Sequence, residues 1–115
     1  MILSTDVWAG ALIRRAETAG AFAAVIRKGD SRAGAVLVKV LDRPAGTARL
    51  YAEAMRGEGE EVWMQPLQAQ DEAGIDAYIE RAAGRDPDLW VVEIDDRQGR
   101  HFLTEPVDDG QKPPR

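Results

Sequence analysis

Residues 20–41 read Gly-Ala-Phe-Ala-Ala-Val-Ile-Arg-Lys-Gly-Asp-Ser-Arg-Ala-Gly-Ala-Val-Leu-Val-Lys-Val-Leu, GAFAAVIRKGDSRAGAVLVKVL. Two apolar runs flank a short polar link. Successive strand residues point to opposite faces, so residues that are apolar at both parities require cover on both sides of a sheet. In the first run, 21–27, Phe22, Ala24 and Ile26 share one face, and Ala21, Ala23 and Val25 share the other. In the second, 35–41, Val36, Val38 and Val40 oppose Ala35, Leu37, Lys39 and Leu41. The Gly and Asp of the link 28–34 read as a hairpin loop.

Working outward, Trp8, Leu12, Ala16 and Ala19 recur at helical spacing between the cap oxygens of Ser4, Thr5 and Asp6 and a stop at Gly20. After the turn Asp42-Arg43-Pro44-Ala45-Gly46, a third strand over 47–54 alternates Ala48, Leu50 and Ala52 with Thr47, Arg49, Tyr51 and Glu53. A glycine- and charge-rich loop at 56–61 precedes a short edge strand at 62–65. Asp71 or Glu72 opens a second helix, with Ile75, Tyr78, Ile79 and Ala82 on one face and a stop at Gly84. Leu89-Trp90-Val91-Val92-Glu93-Ile94 is the last strong strand, and 100–103 reads as a short return strand. The expectation is one α+β domain over 1–103, with a mixed, mostly antiparallel sheet of four to five strands flanked by two helices, one on each face. Residues 104–115 read as a disordered tail.

Composition narrows the function classes. The chain has 115 residues, a net charge of −5 and no cysteine. Disulfides and thiolate metal sites are therefore excluded. No run approaches the roughly 18 apolar residues of a membrane span, and nothing near Met1 resembles a secretory leader. A cytoplasmic protein without membrane contact is expected. Residues 1–50 hold eight basic and four acidic side chains, a net +4, whereas residues 51–115 hold seven and sixteen, a net −9. The acidic total argues against general nucleic-acid binding, where phosphate neutralisation dominates affinity.

No catalytic motif assembles. Gly29 and Gly34 have phosphate-loop spacing, but Ala35 and Val36 stand where Lys and Ser or Thr are required, and a strand follows in place of a helix. His101 is the only histidine; with a nearby carboxylate it is the sole acid–base candidate. Asp86 and Asp88 flank Pro87 and read as turn residues. No metal or cofactor is expected. The candidate ligand-binding set is Arg14, Arg15, Arg27, Lys28 and Arg32, whose guanidinium forks suit carboxylates and phosphates. Trp63, in Glu60-Glu61-Val62-Trp63-Met64-Gln65-Pro66, reads either as a partly exposed interface anchor or as a core residue buried against the second helix. The favoured function is a non-enzymatic interaction or accessory module, with a protein partner or a second copy. The alternative is a binding protein for a small anionic ligand.

Three segments together carry a resemblance: Val7-Trp8 with Leu12-Ile13-Arg14-Arg15, then 20–40 with its Arg27-Lys28-Gly29-Asp30, then Asp86-Pro87-Asp88-Leu89-Trp90-Val91-Val92-Glu93-Ile94. In these the chain resembles the alphaproteobacterial family catalogued as domain of unknown function 1491. The resemblance spans all but the tail and implies a small bacterial protein. It implies no catalytic residues.

Overall fold

The computed structural model describes residues 3–67 and 71–108. The element order is α1 (Thr5–Thr18), β1 (Phe22–Arg27), β2 (Val36–Asp42), β3 (Thr47–Arg56), β4 (Glu60–Met64), α2 (Glu72–Arg85), β5 (Trp90–Asp95) and β6 (Val107–Asp108). One mixed sheet runs β1-β5-β2-β3-β4-β6. The β1/β5, β2/β3 and β3/β4 pairs are antiparallel; β2/β5 and β4/β6 are parallel. The sixth strand, two residues long, takes the sheet just beyond the expected four to five.

The helices lie on opposite faces, as the two-sided apolar strands require. Trp8, Leu12 and Ala16 of α1 pack on Val36, Val38 and Val40 of β2 and on Trp90, Val92 and Ile94 of β5. On the other face Ile75 of α2, flanked by Tyr78, Ile79 and Ala82, packs on Leu37, Leu41, Leu50 and Val91. All seven residues of β2 are buried. Each fully covered Val or Leu contributes about 1.5–3 kcal/mol of burial, so β2 and β5 anchor the domain.

Helix ends are set by different devices. Asp71 caps α2 by accepting a hydrogen bond from the Gly74 N–H at 2.7 Å. The first turn of α1 is satisfied from across the fold: Thr5 N–H and Asp6 N–H donate to the carbonyls of Arg32 and Ser31. Ser4 occupies the N-cap without a side-chain capping bond. Its hydroxyl donates to Asp6 Oδ1 instead. The exit of α1 matches the glycine signal. Gly20 sits at φ +90°, and Ala21 N–H donates to Ala16 O.

Three expectations need correction. β1 and β2 do not form a hairpin, because β5 lies between them. The link 28–35 spans the start of β5: Asp30 N–H donates to Asp88 O, Trp90 N–H to Ala35 O, and the Trp90 indole N–H to Asp30 O at 2.6 Å. Gly29 and Gly34 serve that close approach, since a Cβ on either would overlap the Asp88 carbonyl. Second, two-sided burial holds for β2 and β5 but fails for β1, where Phe22 is 67% exposed and Ile26 50%. α1 covers Ala23 on one face, whereas the apolar cluster beneath α2 draws on no residue of β1.

Third, residues 100–103 form no strand. Arg15 instead donates from Nε and Nη2 to Phe102 O, guiding this segment beneath α1 toward β4. There Trp63 N–H donates to Pro106 O at 2.8 Å, and Val107 pairs with Trp63. Thr104 to Asp108, assigned from sequence to the tail, thus run along β4 and cover what was read as a sheet edge. The rest of the tail reading, 109–115, lies outside the described residues.

Candidate functional site

The five basic candidates do not converge. Arg32 sits where the link meets the first residues of α1. Arg14 and Arg15 lie nine and ten residues along that helix from Thr5, about 14 Å away at 1.5 Å per residue. Arg15 is committed to Phe102 O, while Arg14 is exposed beside an open hollow formed with Ala11, Thr18 and Ala19. Arg27 Nη1 donates to Leu89 O at 2.6 Å and holds the end of β1 against β5. Lys28 is exposed next to it.

The other candidates are built into the structure. His101 is half-buried and meets Tyr51 edge-on, with ring centroids 5.2 Å apart. Its Nδ1 accepts the Leu103 N–H, and burial lowers its pKa, favouring the neutral ring. Asp86 Oδ1 accepts the Asp88 N–H, closing the turn before β5. Trp63 is 2% exposed and so is no exposed anchor. It stacks on Trp8 of α1, centroids 5.3 Å apart and planes at 25°, and its indole N–H donates to Glu105 Oε1. The sequence reading missed the C-terminal segment that closes over this ring.

Two charged features also escaped notice. Lys39 projects from the middle of β2 beneath α2, 4% exposed, with Nζ 2.9 Å from Glu72, 2.7 Å from Asp76 and 3.3 Å from Glu93. Burial works against its ammonium, but the bonds from Asp76 and Glu72 outweigh it and push the pKa up. This lysine is a fastening of α2 to the sheet, not a nucleophile. Its sequence signal was a lone charge inside an apolar strand.

The second feature is a groove of about 360 Å³ bordered by Glu53, Met55, Glu61, Trp63 and Glu105. Partial burial pushes the Glu53 carboxyl up. Burial acts the same way on Glu105 and is the largest single influence, yet the hydrogen bonds from Trp63, its own backbone, Trp8 and Thr104 together outweigh it and leave Glu105 low. Among the described residues no group of three or more His, Cys, Asp or Glu side chains is arranged to hold a metal ion. Nor is any described helix long and apolar enough to cross a membrane.

What remains is β1. At the far side of the sheet Pro106 and Val107 cover β4, whereas β1 has only β5 as a described neighbour. The backbone polarity of β1 follows from β5. Trp90 N–H and Asp96 N–H donate to Ala35 O and Leu41 O on the β2 side. Strand residues direct their N–H and C=O alternately to the two sides. The even-numbered residues of β5 therefore face β2, and Glu93 and Asp95 face β1. Phe22 pairs with Asp95 and Ala24 with Glu93. The backbones of Phe22 and Ala24 are thus bonded inward, and those of Ala23 and Val25 point to the open edge. Phe22, Val25 and Ile26 expose apolar surface along it. A bulge at Ile26 ends the regular register just before Arg27.

Comparison with known proteins agrees with the resemblance read from the three segments. The family model described as "Protein of unknown function (DUF1491)" matches residues 3–104. The 1.87 Å crystal structure of a DUF1491 family protein from Caulobacter crescentus CB15 shares 68% identity at a TM-score of 0.91, covering 93% of this chain and 100% of that one. An NMR structure of a DUF1491 family protein from the same organism gives 68% and 0.88, covering 95% and 99%. The solution structure of protein Atu0922 from A. tumefaciens gives 35% and 0.78, covering 95% and 97%. No curated protein matches the chain. The chain belongs to the DUF1491 family.

Proposed function

We propose that this DUF1491 protein is a non-enzymatic interaction module of the cytoplasm, and that it docks its partner on the outer edge of β1. The observation that carries the reading is the asymmetry of the sheet. One margin is covered by Pro106 and Val107, while the other leaves Phe22 67% exposed beside outward-directed backbone at Ala23 and Val25. Exposed sheet margins are normally short, charged or covered, because unpaired N–H and C=O groups recruit other strands. An apolar, six-residue margin is the geometry used to receive an added strand: backbone bonds supply affinity and alternate side chains supply selectivity. The engagement of His101, Arg15, Arg27 and Trp63 in internal bonds supports a binding role over a catalytic one. The cysteine-free composition fits a reducing compartment.

The test is affinity capture from a native alphaproteobacterium with the wild-type chain and with Phe22→Glu, both verified as folded by circular dichroism. Partners retained by the wild type and lost by the variant are expected. Equal recovery on both overturns the role of this edge.

A further inference from the structure

Resting on the β1-edge reading, we infer that the strand received there is β1 of a second copy, paired antiparallel about a twofold axis at Ala24. Ala23 and Val25 direct their backbone groups outward. In an antiparallel pair centred on Ala24, Ala23 of each chain faces Val25 of the other, so both outward sets bond reciprocally. Ala24 then meets its own copy as a non-hydrogen-bonded pair, where Cα atoms approach to about 4.5 Å. A small side chain suits that crossing.

The same register sets Phe22 opposite the partner's Ile26, and Ile26 opposite the partner's Phe22. Aromatic against β-branched is a favourable cross-strand pair, and both side chains are at least half exposed in the single chain. Charge selects the direction. Arg27 and Lys28 end β1, while its start follows directly on the C-terminus of α1. A parallel pair would bring the two cationic ends together. The antiparallel pair separates the two cationic ends, setting each beside the other chain's α1 C-terminus, whose Ala19 carbonyl already accepts from Arg100, and near Asp95, which already pairs with Arg43. The result is one continuous twelve-stranded sheet with the two-residue β6 strands outermost, two six-stranded sheets joined at β1.

Because the natural chain has no cysteine, a single introduced thiol reports the register directly. Ala24→Cys is expected to form an interchain disulfide on mild oxidation, since the predicted spacing suits one, whereas Phe22→Cys, four residues from its own copy's position, stays unlinked. Sedimentation equilibrium of the wild-type chain is expected to show a dimer. Phe22→Glu alone and Ile26→Lys alone are each expected to weaken it at least tenfold. The double variant restores association, because each Glu then faces a Lys of the other chain.

A wild type that stays monomeric to millimolar concentration overturns self-pairing. So does a dimer indifferent to Phe22→Glu, or preferential crosslinking of Phe22→Cys. Failure here is distinguishable from failure of the edge reading. A monomeric wild type that still captures a partner lost by Phe22→Glu rejects the second copy and retains the edge; equal capture by both rejects the edge itself.

Discussion

The indole of Trp63 lies on that of Trp8 at a centroid separation of 5.3 Å and donates its N–H to Glu105. One side chain of β4 thereby joins α1, the sheet and the C-terminal segment. The contact explains why β4 is no free margin. It also identifies the structural unit whose integrity any mutational study of β1 must preserve.

Truncating that ring removes the stack on Trp8 and the bond to Glu105. Trp63→Ala is expected to cost about 3–5 kcal/mol. Trp63→Phe keeps most of the stacking and loses the Glu105 bond, at about 1 kcal/mol beyond any packing loss. Urea unfolding followed by far-ultraviolet circular dichroism measures both. An unchanged midpoint for Trp63→Ala would contradict the anchoring role.

Lys39 is the fastening of α2. Lys39→Met retains the apolar stem but leaves Glu72, Asp76 and Glu93 facing one another without their cation. A loss of about 1–2 kcal/mol is expected, because Glu72 and Asp76 are about half exposed and rehydrate once the cation is gone. Asp76→Asn leaves two carboxylates on the lysine and is expected to cost about 1 kcal/mol. Amide exchange in α2 should accelerate more in the first variant than in the second.

Glycines of different setting respond with opposite signs. Gly29→Ala and Gly34→Ala drive a Cβ into the Asp88 carbonyl, which neither backbone can evade cheaply, and a loss of about 1–3 kcal/mol is expected. Gly10, inside α1, has open space around its missing Cβ. Gly10→Ala is expected to stabilise by up to about 1 kcal/mol through helix propensity. Melting temperatures of the three variants decide the point.

Acid weakens the fold in two separate windows. Burial lowers the pKa of His101, so its protonation favours the unfolded chain. Stability is lost as pH falls through about 6.5, the ordinary value, toward the lower folded one. Asp96, 3% exposed and held by Arg100, has its pKa lowered to about 2. Its contribution is complete above about 3.9 and disappears as pH falls from there to the folded value. Unfolding free energy measured between neutral pH and pH 2 should show both slopes. His101→Gln should remove the upper one, and Asp96→Asn should reduce the lower, to which Glu105 also contributes.

Much of the architecture is legible along the chain. The stripe of Trp8, Leu12 and Ala16, the cap at Asp71, the stop at Gly20 and the period-two pattern of 47–54 all rest on contacts within a few residues, and they locate the elements well. The dense apolar runs around Val38 and Val91, both fully buried, also announce covered central strands and so a helix on each face. The family resemblance was equally readable from the three segments.

What the chain by itself determined was therefore its elements, their amphipathic faces and the two-sided core. Tertiary structure alone decided which strands are neighbours. β5 enters between β1 and β2 from more than 50 residues away, turning an apparent hairpin loop into a clasp over Asp88 and leaving Phe22 at a margin. The same long-range closure buries Trp63 under Trp8 and sets Lys39 among three carboxylates. Local patterns record how apolar a strand's faces are; only the pairing of distant segments decides whether something arrives to cover them.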